Sequence, residues 1–302
     1  MRPYLLYLSG VAGLSGLAIC LEEGPLSPAF WTAFLAMFLG YGFGQALTDC
    51  FQIDTDAISA PYRPLCKGEI SRMSLGLVSL IGLILIGLTL GKLNVHNLLL
   101  ISLSIVGLSS YTWFKKHLWY AGPPFNAFIF MLLPVMGYLA LSDNGFEVLL
   151  NSELRLTAGL SYFSYVNFVL IGYLKDLKAD RETGYRTFPL RFGWNATIWL
   201  GNIHLLIVVW ICLQLIDFTN LVATGLFIVS TVIALSAQVY GLVTKNKSES
   251  NARFPISATV RSLVLWHLSV VVSYQNNWLT GILLFYFLFE VNMYFRPKRN
   301  QI

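Results

Sequence analysis

The chain repeats one pattern from end to end: an apolar run of roughly 16 to 24 residues, then a short polar connector. A run of that length is what an α-helix rising about 1.5 Å per residue needs to cross the hydrocarbon core. The bilayer allows little else, because each backbone N–H and C=O must find its partner inside the segment. Spans are expected near 4–21, 29–51, 72–91, 95–114, 122–142, 156–175, 195–216, 219–243, 258–274 and 278–295. The weakest is 258–274, which is short and joined to the last by a tight Gln275-Asn276-Asn277 connector; as a re-entrant piece it would leave nine spans. The fold class is all-α, a polytopic transmembrane helical bundle of nine to ten spans. Only 12% of the 302 residues are charged, against about 25% in a soluble domain. The partner of such a chain is the lipid bilayer, and no nucleic acid; secreted disulfide scaffolds and ordinary cytosolic enzymes are excluded as well.

Residues Met1 to Cys20 carry an apolar run after one Arg but no small-residue cleavage site, and are read as a retained first helix rather than a signal peptide. Cys20, Cys50, Cys66 and Cys212 form no CxxC pair and read as small buried hydrophobes. With Met1 on the cytoplasmic side, eighteen of the twenty Lys and Arg fall in cytoplasmic loops, Arg2, Lys298 and Arg299 among them, leaving Lys92 and Arg155 outside. The positive-inside rule therefore orients the chain with its N-terminus cytoplasmic.

Against this scarcity of charge, five of the seven aspartates crowd into two short clusters at the cytoplasmic ends of spans. The first runs from Thr48 to Asp56 and contains Asp49, Asp54 and Asp56; the second runs from Lys175 to Arg181 and contains Asp176 and Asp180. On a regular helix Gln45, Asp49, Gln52 and Asp56 share one face, Asp176 and Asp180 share another, and Asp54 points away from the first stripe. Facing carboxylate stripes repel unless a cation sits between them. Such oxygen ligands suit Mg²⁺ held jointly with a phosphate group. The bland reading of either cluster is a solvated, capped helix end. It loses ground because both lie on one membrane side, each followed by a cationic loop: Arg63 and Lys67 in the first, Arg181, Arg186 and Arg191 in the second. Cations beside a carboxylate-bound metal are what a diphosphate requires.

These residues resemble the UbiA superfamily of intramembrane prenyltransferases, over nearly the whole chain from Arg2-Pro3 onward. The stretch DAISAPYRPLCKGEIS, Asp56 to Ser71, matches the part of the family's first motif that reads RPLxxGxIS; Asp176 to Gly193 matches DxxxD followed by RxxGxRTxPxxxG. A further family loop is echoed by Tyr111, Thr112, Lys115, Gly122 and Asn126. The resemblance implies a bundle around a central cavity, built from two pseudo-repeated halves (here about 1–142 and 143–302), that binds an isoprenoid diphosphate through Mg²⁺. Carried over by position, Asp49, Asp56, Asp176 and Asp180 are the catalytic metal-holding acids, with Gln52 in the metal stripe. Arg63, Lys67, Tyr111, Lys115, Asn126 and Lys175 are the diphosphate contacts. Asn126 has a competing role as a helix cap. The first motif departs from the family in three places: Thr48 replaces Asn, Gln52 replaces Asp, and Asp54 is an extra acid. Gln52 keeps an oxygen ligand but removes a charge, which weakens metal affinity there unless Asp54 swings in.

The chemistry so implied is metal-assisted ionisation of an allylic diphosphate and capture of the carbocation in a dry cavity. Transfer to an aromatic or other hydrophobic acceptor leads. A membrane terpene cyclase with similar Asp motifs is the alternative, and a channel, with ionisable groups near the midplane, comes last. Gly40, Gly42 and Gly44 lie inside an apolar span and read as close helix packing rather than a phosphate loop. His204 and His267 read as hydrogen-bonded within the bundle, and Glu290 as a partner of Arg261 or His267.

Overall fold

The computed structural model describes residues 3–21 and 25–296; Arg2, Lys298 and Arg299, counted above toward orientation, lie outside them. Among the described residues there are twelve α-helices and no strand. Ten are long and apolar enough to cross a membrane: α1 (Pro3–Cys20), α2 (Pro28–Asp49), α4 (Arg72–Leu93), α5 (Asn97–His117), α6 (Gly122–Leu141), α7 (Ser152–Gly172), α9 (Phe188–Leu215), α10 (Leu221–Val243), α11 (Arg253–Tyr274) and α12 (Leu279–Phe295). Two short helices, α3 (Ile53–Ser59) and α8 (Leu177–Glu182), lie in connectors.

Local chemistry explains where several helices begin. Ser27 accepts a hydrogen bond from Phe30 N with Pro28 in the first turn, Asn151 accepts one from Leu154 N at 2.7 Å, and Asn220 accepts from both Val222 N and Ala223 N. The Asn151 cap starts α7 earlier than the apolar run suggests. Likewise α9 begins at Phe188, because Pro189 suits a first turn; Gly193 then kinks the helix with φ of +83°, a conformation open to glycine.

Packing is tightest between α1 and α6. A Cβ on Gly16 would meet the backbone of Pro134, and one on Gly137 would meet the backbone of Gly13, so these helices touch main chain to main chain. The outward faces carry lipid-suited stripes, such as Leu77, Ile81, Leu85 and Leu88 on α4.

The segment ranked weakest by sequence proves to be the most enclosed. Nearly every residue of α11 from Pro255 to Val272 is buried by other helices. Its polar groups are paired inside: Thr259 Oγ1 donates to Pro255 O at 2.7 Å, Ser262 Oγ donates to Ala258 O at 2.9 Å, and His267 Nε2 lies 2.8 Å from Ser161 Oγ. Hydropathy measures fitness for lipid, and this helix meets protein instead. The membrane-facing role falls to α12, which exposes Leu283, Leu284, Phe287 and Tyr294.

The connectors that follow α2, α5, α7 and α10 share one end of the bundle and are bonded to one another. Asp54 accepts from Tyr185 Oη at 3.2 Å and from Lys116 Nζ at 3.1 Å, Arg186 N donates to Lys116 O at 3.1 Å, and Lys178 N donates to Glu249 Oε1 at 2.6 Å. Both aspartate clusters belong to this end.

Candidate active site

The first cluster is not one regular helix. α2 stops at Asp49, the chain turns through Cys50 and Phe51, and α3 starts after Gln52, whose φ of −118° is outside the helical range. The continuous stripe expected from Gln45 to Asp56 is therefore interrupted. Its members still converge, because Asp56 N bonds Gln52 O at 2.9 Å in the first turn of α3 and Arg63 reaches both Asp49 and Asp56. The break turns Asp54 away. Burial works against its carboxylate, but Lys116, the Thr55 N–H and Tyr185 outweigh that and hold its pKa below the usual range. Asp54 thus ties the connectors together and does not replace the acid missing at Gln52.

In the second cluster α7 tightens into a 3-10 turn, Tyr173–Lys175, and Asp176 then sits outside helical geometry at the start of α8. Asp180 N donates to Asp176 O at 2.8 Å, placing the two acids one turn apart.

Between the clusters lies a polar cavity of about 120 Å³. Nine of the eleven residues singled out by sequence line it: Asp49, Gln52, Asp56, Arg63, Tyr111, Lys115, Asn126, Lys175 and Asp176. Arg63 bonds Asp56 and lies 3.6 Å from Asp49 Oδ1, so one guanidinium holds both acids of its cluster. Gln45 Nε2 donates to Asp49 Oδ1 at 2.6 Å, and Gln52 Nε2 donates to Thr112 Oγ1 at 3.2 Å. Asn126 is well inside α6, which begins at Gly122, so it serves the cavity and not a cap.

Two residues are placed otherwise. Asp180 is wholly buried behind the cavity wall, with Oδ1 3.1 Å from Lys115 Nζ. Lys67 is exposed and pairs with Glu69 at 3.5 Å, away from the cavity. Tyr111 was expected; Tyr173 and Tyr185 were missed by the sequence reading. Tyr173 Oη lies 2.8 Å from Tyr111 Oη, and Lys115 Nζ stands 5.0 Å above the Tyr173 ring and 4.8 Å above that of Tyr185. Tyr185 sits within the second motif's loop, which was the available signal for it.

Burial pushes the Asp180 carboxyl up to about 6, against the pull of Lys115. Thr187 and Lys115 both favour its charged form. In the cavity itself Asp49, Gln52, Asp56 and Asp176 bring hard oxygen donors together, a set that fits Mg²⁺. No group of three or more His, Cys, Asp or Glu is close enough to enclose a metal among the described residues. Mg²⁺ takes one or two carboxylates and completes its shell with water and phosphate oxygens.

The polar cavity adjoins an apolar slot of about 90 Å³ between α2, α4, α5 and α6, lined by Leu83, Ile86, Ile101, Ile129, Phe130 and Met136 among others. Tyr41 and Tyr165 line both spaces, their hydroxyls 2.8 Å apart, and Tyr165 stacks on Phe130 at 4.1 Å. Gln45, Thr48 and Asn126 also line both, so a polar space adjoins an apolar one.

The family model of the UbiA prenyltransferase family matches residues 9–263. The chain belongs to this family. Among curated relatives, the digeranylgeranylglyceryl phosphate synthase of Thermococcus kodakarensis is 26% identical over 209 residues, 69% of this chain and 73% of that one. Among solved structures, a UbiA homolog from Aeropyrum pernix K1 aligns with a TM-score of 0.73 at 15% identity, covering 90% of this chain and 98% of that one. A UbiA homolog from Archaeoglobus fulgidus, bound to DMAPP and Mg²⁺, aligns with a TM-score of 0.63 at 16% identity, covering 89% and 96%. The UbiA membership and the ten apolar helices make this an integral, multi-pass membrane protein. The matched region ends inside α11, so α12 lies beyond the UbiA model.

Proposed function

We propose that the protein is a Mg²⁺-dependent intramembrane prenyltransferase that ionises an isoprenoid diphosphate and transfers the prenyl group to a hydrophobic acceptor. The observation that carries this is the convergence of Asp49, Asp56 and Asp176 with Arg63, Lys115 and Lys175 on one cavity that adjoins an apolar slot. Asp49, Asp56 and Asp176, with the Gln52 carbonyl, would hold Mg²⁺, which when bound supplies Lewis-acid stabilisation of the leaving diphosphate, while Asp180, expected from the motif as a fourth ligand, holds Lys115 from behind the cavity wall. Arg63, Lys115 and Lys175 bind its remaining oxygens and neutralise the charge that grows as the C–O bond breaks. Tyr111 and Tyr173 orient the Lys115 ammonium between ring face and carboxylate. The apolar slot excludes water from the carbocation, and Tyr41 and Tyr165 line its junction with the polar cavity.

Transfer is favoured over cyclisation by the synthase name of the Thermococcus relative, and Mg²⁺ by the Archaeoglobus structure. The positive-inside count supports a site and an N-terminus on the cytoplasmic side. Membranes bearing the protein, incubated with Mg²⁺ and labelled prenyl diphosphates with and without added acceptor lipid, test the reading. Label entering product only with acceptor supports transfer; a hydrocarbon or terpene alcohol formed without acceptor establishes cyclisation instead.

A further inference from the structure

Asp54 is the extra acid of the first motif, and Tyr185 stands at a position that the second motif leaves open. The two meet at one buried ring. Tyr185 Oη donates to Asp54 Oδ1 at 3.2 Å, and the Thr55 N–H donates to the same oxygen at 2.9 Å, which fixes the carboxylate in the first turn of α3. Its other oxygen takes Lys116 Nζ at 3.1 Å. The main chain around the ring is held as well, since Tyr185 N donates to Asp180 O at 2.8 Å and Arg186 N donates to Lys116 O at 3.1 Å.

Two ammonium groups lie over this ring, Lys115 Nζ at 4.8 Å and Lys116 Nζ at 5.1 Å from its centroid. Each has its own carboxylate at 3.1 Å, Asp180 for Lys115 and Asp54 for Lys116. The Lys116 and Asp54 side chains are 39% and 42% exposed, whereas that of Lys115 is 5% exposed and lines the diphosphate cavity. The Tyr185 ring therefore joins a solvated ion pair to a cavity-side one. A lysine is a point charge on a flexible four-carbon stem, so the bond to Asp180 alone does not set where the charge points. Ring faces add that constraint, most strongly where water is excluded, as it is at Lys115. A phenol that donates to a carboxylate is polarised toward higher ring density and is less free to turn.

We propose that Asp54 is a positioning residue for diphosphate binding: through the Tyr185 ring it holds the Lys115 ammonium at the cavity wall. This rests on the prenyltransferase reading, which makes Lys115 a diphosphate contact. It gives the extra acid of the first cluster a task outside the metal set.

Two measurements on the full-length protein in detergent test the assignment. The first needs no ligand. It follows the NMR signal of the Lys115 ε-methylene group, assigned through Lys115→Arg, which the ring currents of Tyr173 and Tyr185 shift upfield. Asp54→Ala and Tyr185→Phe are each expected to move that signal toward the ordinary lysine position with the other lysine signals unchanged, and Lys116→Met to leave it in place. The second is calorimetric binding of geranyl diphosphate with Mg²⁺. Asp54→Ala and Tyr185→Phe should each weaken it about threefold or more, and the double variant no further than the worse single one, because both cut the same link. An unmoved Lys115 signal in Asp54→Ala, an equal movement in Lys116→Met, a moved signal with unchanged binding, or losses that multiply in the double variant overturns the proposal. Absence of geranyl diphosphate binding by the unaltered protein defeats the prenyltransferase reading instead, and the ligand-free NMR comparison still decides whether Asp54 positions Lys115.

Discussion

Lys115 Nζ and Asp180 Oδ1 are 3.1 Å apart, and both side chains are almost entirely shut off from solvent. One faces the diphosphate cavity and the other stands behind it. Removing Lys115 alone strands a carboxylate in the interior, a loss of about 3–5 kcal/mol. Lys115→Met is expected to lower the unfolding midpoint and abolish turnover. The double variant Lys115→Met/Asp180→Leu should recover the midpoint and not the turnover, as thermal unfolding in one detergent and a labelled-diphosphate assay would show.

The same carboxyl predicts opposite responses to pH. An aspartate held up near 6 is favoured in its neutral form by the fold, so its contribution to stability is full below about pH 4 and is lost as pH rises through 6. Turnover that needs the ionised form rises over that interval. Asp180→Asn should flatten the stability slope, measured as the unfolding midpoint against pH.

Asp176→Ala is expected to cost at least about a hundredfold in turnover, with insertion into membranes unchanged. Retained activity in a correctly inserted protein removes Asp176 from the metal set.

Gln52 lines the cavity and holds Thr112 through its amide nitrogen. Gln52→Asp restores a charge to the first cluster and should lower the Mg²⁺ concentration at half-maximal rate. An unchanged Mg²⁺ titration excludes Gln52 from the site.

Gly44 lines the apolar slot, where a Cβ would stand 3.1 Å from Leu108 Cδ1. Gly44→Val narrows that slot. Rates with geranylgeranyl diphosphate should fall more than rates with dimethylallyl diphosphate, a comparison of kcat/KM that a general loss of folding would not mimic.

The spans were legible because lipid imposes a length and a composition that each segment must meet alone. The placement of α11 was not, since a helix enclosed by protein answers to its neighbours. The acidic clusters were legible from their rarity in an apolar chain. Spacing carried Asp56 and Asp176 to the cavity, but the same helix-face and loop reasoning grouped Asp180 and Lys67 with them; one lies behind the wall and the other in solvent. The helix break at Cys50–Gln52 has no Pro or Gly to announce it, so the redirection of Asp54 toward Lys116 required coordinates. Tyr173 escaped notice because its value lies in a partner sixty-two residues away, Tyr111.

The enclosure of α11 bears on how the protein is made. A segment carrying Arg261, His267 and a series of serines and threonines is enclosed by α1, α7 and α10, which bury every one of those groups but Arg261. Its stay in the bilayer therefore depends on helices synthesised before it, and α12, emerging last with the carboxylate for Arg261, fastens the assembly. Among the described residues the carboxylate bonded to Arg261 comes from Glu290, so the polar groups of α11 are all met only with α12 in place.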